Sequence, residues 1–178
     1  LQNRSAETYS PAEDTFFLAE HIANEYGQAA LEIGTGSGYL RKILEKNFAV
    51  VVATDIDFVA LKSQGDIRNL ICCDGASAIG AKFDLVVCNL PYLPSEKIHD
   101  RTVDGGPEGL AVPLQIIESA SSCLKLGAKM LMLTSSLANY QKMIEEAKKK
   151  GLATRILAKK KIFFEELIVL EATKNQKL

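Results

Sequence analysis

A surplus of charge of either sign is missing from this chain. Its 21 Lys and Arg residues and 22 Asp and Glu residues leave a formal net charge of −1 at pH 7. No global positive field therefore draws it to nucleic-acid phosphates. Nucleic acid is disfavoured as a partner, and only a local basic patch would restore it. Cysteine is sparse: Cys72, Cys73, Cys88 and Cys123 make no C-x-x-C pair and fall in apolar or amphipathic stretches. They read as small buried hydrophobes of a reducing compartment, not as a metal site or a disulfide frame. No apolar run reaches transmembrane length, and no charged-then-apolar leader opens the chain. No membrane association is expected, and a cytoplasmic location is. His21 and His99 have no ligand-spaced companions and read as surface residues.

With 178 residues, 47% of them hydrophobic and 24% charged, the chain suits one globular unit with a sizeable core. A single domain over 1–178 is expected, with polar, unanchored ends at Leu1 to Glu7 and Asn175 to Leu178. Strand-like and helix-like segments alternate. Apolar runs at Ala29 to Ile33, Ala49 to Ala53, Asn69 to Cys73, Phe83 to Cys88 and Lys129 to Thr134 read as strands. Helical patterns occupy Gly38 to Asn47, a short stretch capped by Asp57, a segment from Pro113 to about Leu126, and Ala138 to Lys150 closed by Gly151. A loop rich in Gly, Asp and Pro covers Pro94 to Glu108. Two strands, Ala153 to Ile162 and Glu166 to Thr173, end the chain too close together for a crossover, so they should pair as a hairpin. The pattern predicts an α/β fold: a doubly wound, mostly parallel sheet finished by an antiparallel strand.

In such a sheet, ligands bind beyond the carboxyl ends of the strands. Four strand ends carry suggestive chemistry. Glu32-Ile33-Gly34-Thr35-Gly36-Ser37-Gly38 follows the first strand, and its glycines permit close backbone approach to a ligand. Asp55, with Ile56 beside it, ends the second strand about twenty residues on, where a carboxylate suits ribose hydroxyls. Asp74 and Gly75 end the third, with Asp74 placed to accept from an adenine amino group. Singly, each acid could be no more than a cap or a turn residue; their ordered combination is what points to a nucleoside. The loop lacks the G-x-G-x-x-G form that seats a pyrophosphate, and a charged Glu32 would repel phosphate. A cofactor bearing an amino group or a sulfonium fits better than NAD.

The fourth strand ends in Asn89-Leu90-Pro91-Tyr92. A planar nitrogen has a delocalised lone pair and attacks carbon poorly. The Asn89 side-chain oxygen and the Leu90 carbonyl offer two acceptors for its N–H groups. Pro91 stiffens the turn, and Tyr92 presents a ring for stacking. Placement and loss of solvation then supply most of the rate, without a strong base.

These residues resemble the class I S-adenosyl-L-methionine-dependent methyltransferases with an (Asn/Asp)-x-Pro-(Tyr/Phe) motif. The chain is more narrowly similar to the HemK-related branch that methylates the glutamine amide of translation release factors. Tyr9 to Phe16, the loop Glu32-x-Gly34-x-Gly36-x-Gly38 and Asp104 to Leu110 carry the likeness. The resemblance implies a Rossmann-like, seven-stranded sheet of order 3-2-1-4-5-7-6. It implies an N-terminal segment, 1–28, packed over the cofactor site with Thr15 touching the cofactor. It assigns cofactor contacts to Glu32, Gly34, Thr35, Gly36, Gly38, Asp55, Ile56, Asp74, Gly75 and Asn89. The chain has no room for the extra helical domain of bacterial members and looks like the short archaeal and eukaryotic form. That form works with a small zinc-binding activator protein, and the short apolar third strand, at the sheet edge in this order, would suit it.

Leu90 stands where the family usually has proline, and Asn-Leu-Pro-Tyr is familiar in adenine methyltransferases acting on ribosomal RNA. Adenine N6 methylation is therefore the enzymatic alternative, and a non-catalytic methyltransferase-like scaffold is the third. Lys148 to Lys150 and Lys159 to Lys161 could meet RNA phosphates, though a helix end and a solvated strand end explain them. Phe163 and Phe164 either pack in the final hairpin or line a substrate groove.

Overall fold

The computed structural model describes residues 11–65 and 68–175. Tyr9 and Ser10 of the N-terminal signature, with the rest of 1–10 and the last three residues, lie outside them. The chain opens with helix α1, Glu13–Ile22, followed by strand β1, Gly27–Ile33, helix α2, Tyr39–Leu44, and strand β2, Phe48–Asp55. Helix α3, Phe58–Ser63, strand β3, Leu70–Cys72, and strand β4, Phe83–Asn89, come next. Two short strands, β5, Leu93–Pro94, and β6, Asp104–Gly106, precede helix α4, Ala111–Cys123, and strand β7, Leu124–Ser135. Helix α5, Tyr140–Lys149, and strands β8, Leu152–Lys161, and β9, Glu166–Lys174, complete the order.

Seven strands form one sheet in the order β3-β2-β1-β4-β7-β9-β8. Counting only the strands of this sheet, the order is the expected 3-2-1-4-5-7-6; the unforeseen pair β5 and β6 merely shifts the labels. β9 runs antiparallel to both β7 and β8, and the other pairings are parallel. The antiparallel strand follows from the short β8–β9 connection, which leaves no length for a crossover.

Alternation along the central strands sends side chains into two cores. Val86, Cys88, Met130, Met132, Ile168 and Leu170 face one, while Leu85, Val87, Leu131, Leu133, Leu167 and Val169 face the other. Helices cover both faces, which is why these strands read as unbroken apolar runs. α1 supplies Phe17, Leu18 and Ile22 to the second core, beside Leu40 and Leu44 of α2. The sequence pattern assigns this segment no helix; the structure forms one at Glu13–Ile22 because packing of Phe17, Leu18 and Ile22 against the sheet stabilises it. The expected cap at Asp57 is present, accepting from the Val59 N–H at 2.8 Å; Asn139, not anticipated, caps α5 by accepting from the Lys142 N–H at 3.3 Å.

Several expectations need correction. α4 stops at Cys123 rather than near Leu126, because Leu124 is already extended and pairs with Phe83 of β4. The segment read as loop from Pro94 to Glu108 contains β6 and a 3-10 turn at Pro107–Gly109. Cys88 and Cys123 are buried as expected, but Cys72 is exposed and Cys73 only partly covered, since β3 lies at the sheet edge. His21 is half-buried: its Nδ1 lies 2.8 Å from the Phe17 carbonyl oxygen. The lysine runs are engaged locally, with Lys149 on Glu146, Lys150 on Glu118, Lys159 on Glu166 and Lys160 on Glu13.

Candidate active site

The carboxyl ends of β1, β2 and β4 and the residues after β3 surround a cleft of about 280 Å³. Thr15, Glu32, Gly34, Thr35, Gly36, Asp55, Ile56, Asp74, Gly75 and Asn89 through Tyr92 all line it. Gly38 does not line it. It takes φ +75°, and a Cβ there would come within 2.8 Å of the Gln64 Cδ. Its contribution is to the turn, not to the cleft wall. Gln64, absent from the sequence reading, also donates from Nε2 to the Gly36 carbonyl at 2.9 Å and so pins the loop.

The loop is closely wired. Thr35 Oγ1 donates to Glu32 Oε2 at 2.8 Å. Asp55 accepts from the Gly36 N–H through Oδ2 at 2.8 Å and from the Asp57 N–H through Oδ1 at 2.9 Å. At Gly34, with φ +73°, nothing lies within 4 Å of where a Cβ would be. That open backbone edge is a cradle for a ligand. Glu32 is fully buried, and desolvation, with the charge of Asp55 adding to it, pushes its pKa up to about 8 against the pull of Thr35 and Arg41. This corrects the phosphate-repulsion argument: at neutral pH the open cleft holds a neutral Glu32 carboxyl, which a cation would ionise. The buried Cys88 thiol is likewise pushed up by desolvation and by Glu32 and Asp55. Asp74 is exposed and forms an ion pair at 3.0 Å with Arg101, from the segment between β5 and β6.

Asn89 is oriented by its neighbours. Its Nδ2 donates to Asp14 Oδ2 at 3.2 Å and to Thr15 Oγ1 at 3.4 Å, both on α1. An ionised carboxylate only accepts, so the amide must turn its NH₂ toward Asp14. Oδ1 is left buried without a hydrogen-bond partner. Asp14 thus emerges as a positioning residue that motif reading alone did not single out.

The Leu90 substitution has a local cause. Its N–H donates to the Leu133 carbonyl at 3.1 Å, a bond proline cannot make, and its side chain is buried in the core. Leu90 is thus accounted for by β-sheet pairing and packing, without reference to an acceptor. The Asp104 to Leu110 segment buttresses the turn. A Cβ on Gly105 would fall 2.7 Å from the Pro91 carbonyl oxygen, and one on Gly109, at φ +66°, would clash with the Tyr92 carbonyl oxygen. Glycine there lets two backbones touch. Phe163 and Phe164 neither pack in the hairpin nor line the cleft; they are 98% and 94% exposed.

A doubly wound sheet with an antiparallel seventh strand and a cleft at its switch point defines the class I methyltransferase fold. The chain belongs to the methyltransferase small domain family, whose signature matches residues 12–163. A Methanocaldococcus jannaschii protein provisionally named as a protein N5-glutamine methyltransferase is 32% identical, covering 93% of this chain and 91% of that one. The release factor glutamine methyltransferase of Rhodospirillum rubrum is 32% identical over 59% of this chain but only 40% of its own length. Among solved structures, E. cuniculi Mtq2 in complex with Trm112, responsible for methylating the translation termination factor eRF1, superposes with a TM-score of 0.82. It is 27% identical and covers 94% of this chain and 99% of that chain. Among the described residues, no helix is long and apolar enough to cross a membrane.

Proposed function

We propose that this protein transfers a methyl group from S-adenosyl-L-methionine to the side-chain amide nitrogen of a glutamine in a translation release factor. The observation that carries the chemistry is the Asn89 amide, whose oxygen is left buried and unsatisfied in the cleft by the Asp14 carboxylate. The relatives named for glutamine and termination-factor methylation support the acceptor.

The open Gly34 edge with Thr35 and Gly36 receives the amino-acid end of the cofactor, near Glu32. Asp55 and Ile56 take the ribose and one adenine face, Asp74 and Gly75 the adenine edge, and Thr15 closes the cleft from α1. The bound cofactor supplies an electrophilic methyl group. Asn89 Oδ1 and the Leu90 carbonyl would accept the two amide N–H groups and so hold the nitrogen facing the methyl group; transfer would leave the demethylated thioether, and the proton displaced from nitrogen would pass to solvent. Tyr92 stacks on the amide plane, and Pro91, held against Gly105, keeps the turn rigid. Positioning and exclusion of water supply the rate. Of the segment 1–28, the described residues 11–28 act as part of this single domain, with α1 over the cofactor site.

A small zinc-binding activator would add to the β3 edge. Next to that edge, α3 exposes Phe58 and Val59, a patch that a partner would cover. The test incubates the protein with labelled cofactor, release factor and rRNA, with and without the activator. Label on a release-factor glutamine is expected. Label confined to adenine in RNA would overturn the reading.

A further inference from the structure

The connection between β8 and β9 is closed by the Ile162 N–H donating to the Glu165 carbonyl at 2.9 Å, with Phe163 and Phe164 between them. Gly, Asn and Asp suit such a position; two phenylalanines do not. Their ring centroids lie 6.3 Å apart, and each ring is almost wholly in solvent. The fold gains nothing from them. The base of the hairpin, by contrast, is firmly held. Lys159 pairs with Glu166 at 2.7 Å, Lys160 with Glu13 at 3.1 Å, and the Glu166 N–H donates to Ser136 Oγ at 2.9 Å.

The aromatic tip is continuous with the cleft through its next residue. Glu165 lines the same cleft as Asn89 and Tyr92. Its Oε2 is buried and has no hydrogen-bond partner. Among the described residues, four buried side-chain N or O atoms lack a partner, namely Asn89 Oδ1, Ser95 Oγ, Thr134 Oγ1 and Glu165 Oε2. Two of these line the cleft, and both are acceptors. A buried acceptor left open is costly unless a ligand completes it.

We propose that the β8–β9 turn docks the polypeptide carrying the acceptor, with Glu165 receiving an N–H of that segment and Phe163 and Phe164 holding its apolar side chains. The inference rests on the reading of the acceptor as a protein glutamine. Polypeptide matches the surface: it offers backbone N–H groups beside the target amide and apolar side chains on either side. A phosphate-rich strand would meet the Glu165 carboxylate instead.

The test measures transfer to whole release factor, with the zinc-binding activator present, for the parent chain and for three variants. Phe163→Ala with Phe164→Ala should raise KM for the release factor about tenfold, the loss typical of two interface aromatics. Its kcat and its cofactor affinity, read by calorimetry, should stay within about twofold, since only acceptor binding is touched. Glu165→Ala should lower kcat/KM about tenfold, and Glu165→Gln, which keeps an acceptor oxygen, should recover most of it. Parental KM in the phenylalanine variant, or parental kcat/KM in Glu165→Ala, overturns the proposal. So does a Glu165→Gln variant as impaired as Glu165→Ala. If the parent chain methylates the release factor and the variants match it, only the docking inference fails. If the parent chain labels RNA alone, the proposed function fails and the docking inference with it.

Discussion

The two halves of the cleft are built on opposite plans. On the side of β1 and β2, the polar groups already have partners. Thr35 bonds Glu32, Asp55 holds the Gly36 and Asp57 N–H groups, and Gln64 pins the Gly36 carbonyl. On the side of β4 and the β8–β9 turn, Asn89 Oδ1 and Glu165 Oε2 are buried without partners, and two phenylalanines stand in solvent. The first half is preorganised, so a small cofactor meets a finished site. The second leaves its acceptors open to a larger molecule that brings its own donors. The difference separates what binds as a small molecule from what docks as a surface.

The largest break in this comparison should come from Asn89→Ala. Removing the open acceptor should cost roughly a hundredfold or more in single-turnover methyl transfer, as for other preorganised hydrogen-bonding groups. Cofactor affinity should change by no more than about threefold, since the wired half is untouched. Asp14→Ala, which frees the Asn89 amide to turn, should lose about tenfold in the same assay.

A second effect belongs to the wired half. Glu32 in the open cleft gives up its proton near pH 8. A cationic cofactor favours the carboxylate, so binding below that pH releases a proton. Affinity should therefore rise by up to about tenfold per pH unit below 8 and level off above it. Calorimetry in buffers of different ionisation enthalpy should detect the released proton, and Glu32→Gln should abolish it. Stability follows the same group. Between its ordinary value of 4.5 and about 8 the folded chain keeps a proton that the unfolded chain has lost. Glu32 thus lowers stability progressively as pH rises through that window, and the loss is complete above it. A cofactor affinity that does not change between pH 6 and 8 would refute this account of Glu32.

The smallest effect is expected at Arg101. Its pair with Asp74 is about half exposed on both sides and screened by water. Arg101→Ala should change cofactor affinity by no more than about threefold, upward if the ion pair competes with the adenine edge. A tenfold loss would instead make Arg101 part of the cofactor site.

Much of the fold and site was legible because the relevant chemistry is local. Apolar runs ending in Gly34, Asp55, Asp74 and Asn89 mark strand ends, and their alternation with helices along the chain is the pattern of a doubly wound sheet. α1 lacks a local start signal, since Ala12 at its N-cap offers no side-chain acceptor and its helicity comes from packing against the sheet. Gln64, Asp14 and Arg101 were missed for another reason. Each acts on a partner far away in the chain, such as Asp14 on Asn89 or Arg101 on Asp74. No spacing rule reaches that far.

By itself the sequence determined the alternation of elements, the closing hairpin, the glycine loop and the Asn89 to Tyr92 turn, since period, turn chemistry and short-range sterics act between neighbours. The tertiary structure alone decided which way the Asn89 amide faces, that burial raises the Glu32 pKa, why Leu90 stands in place of proline, and that Phe163 and Phe164 stand in solvent. Orientation, desolvation and exposure depend on what the rest of the chain brings alongside a residue, and that is settled only when the sheet closes.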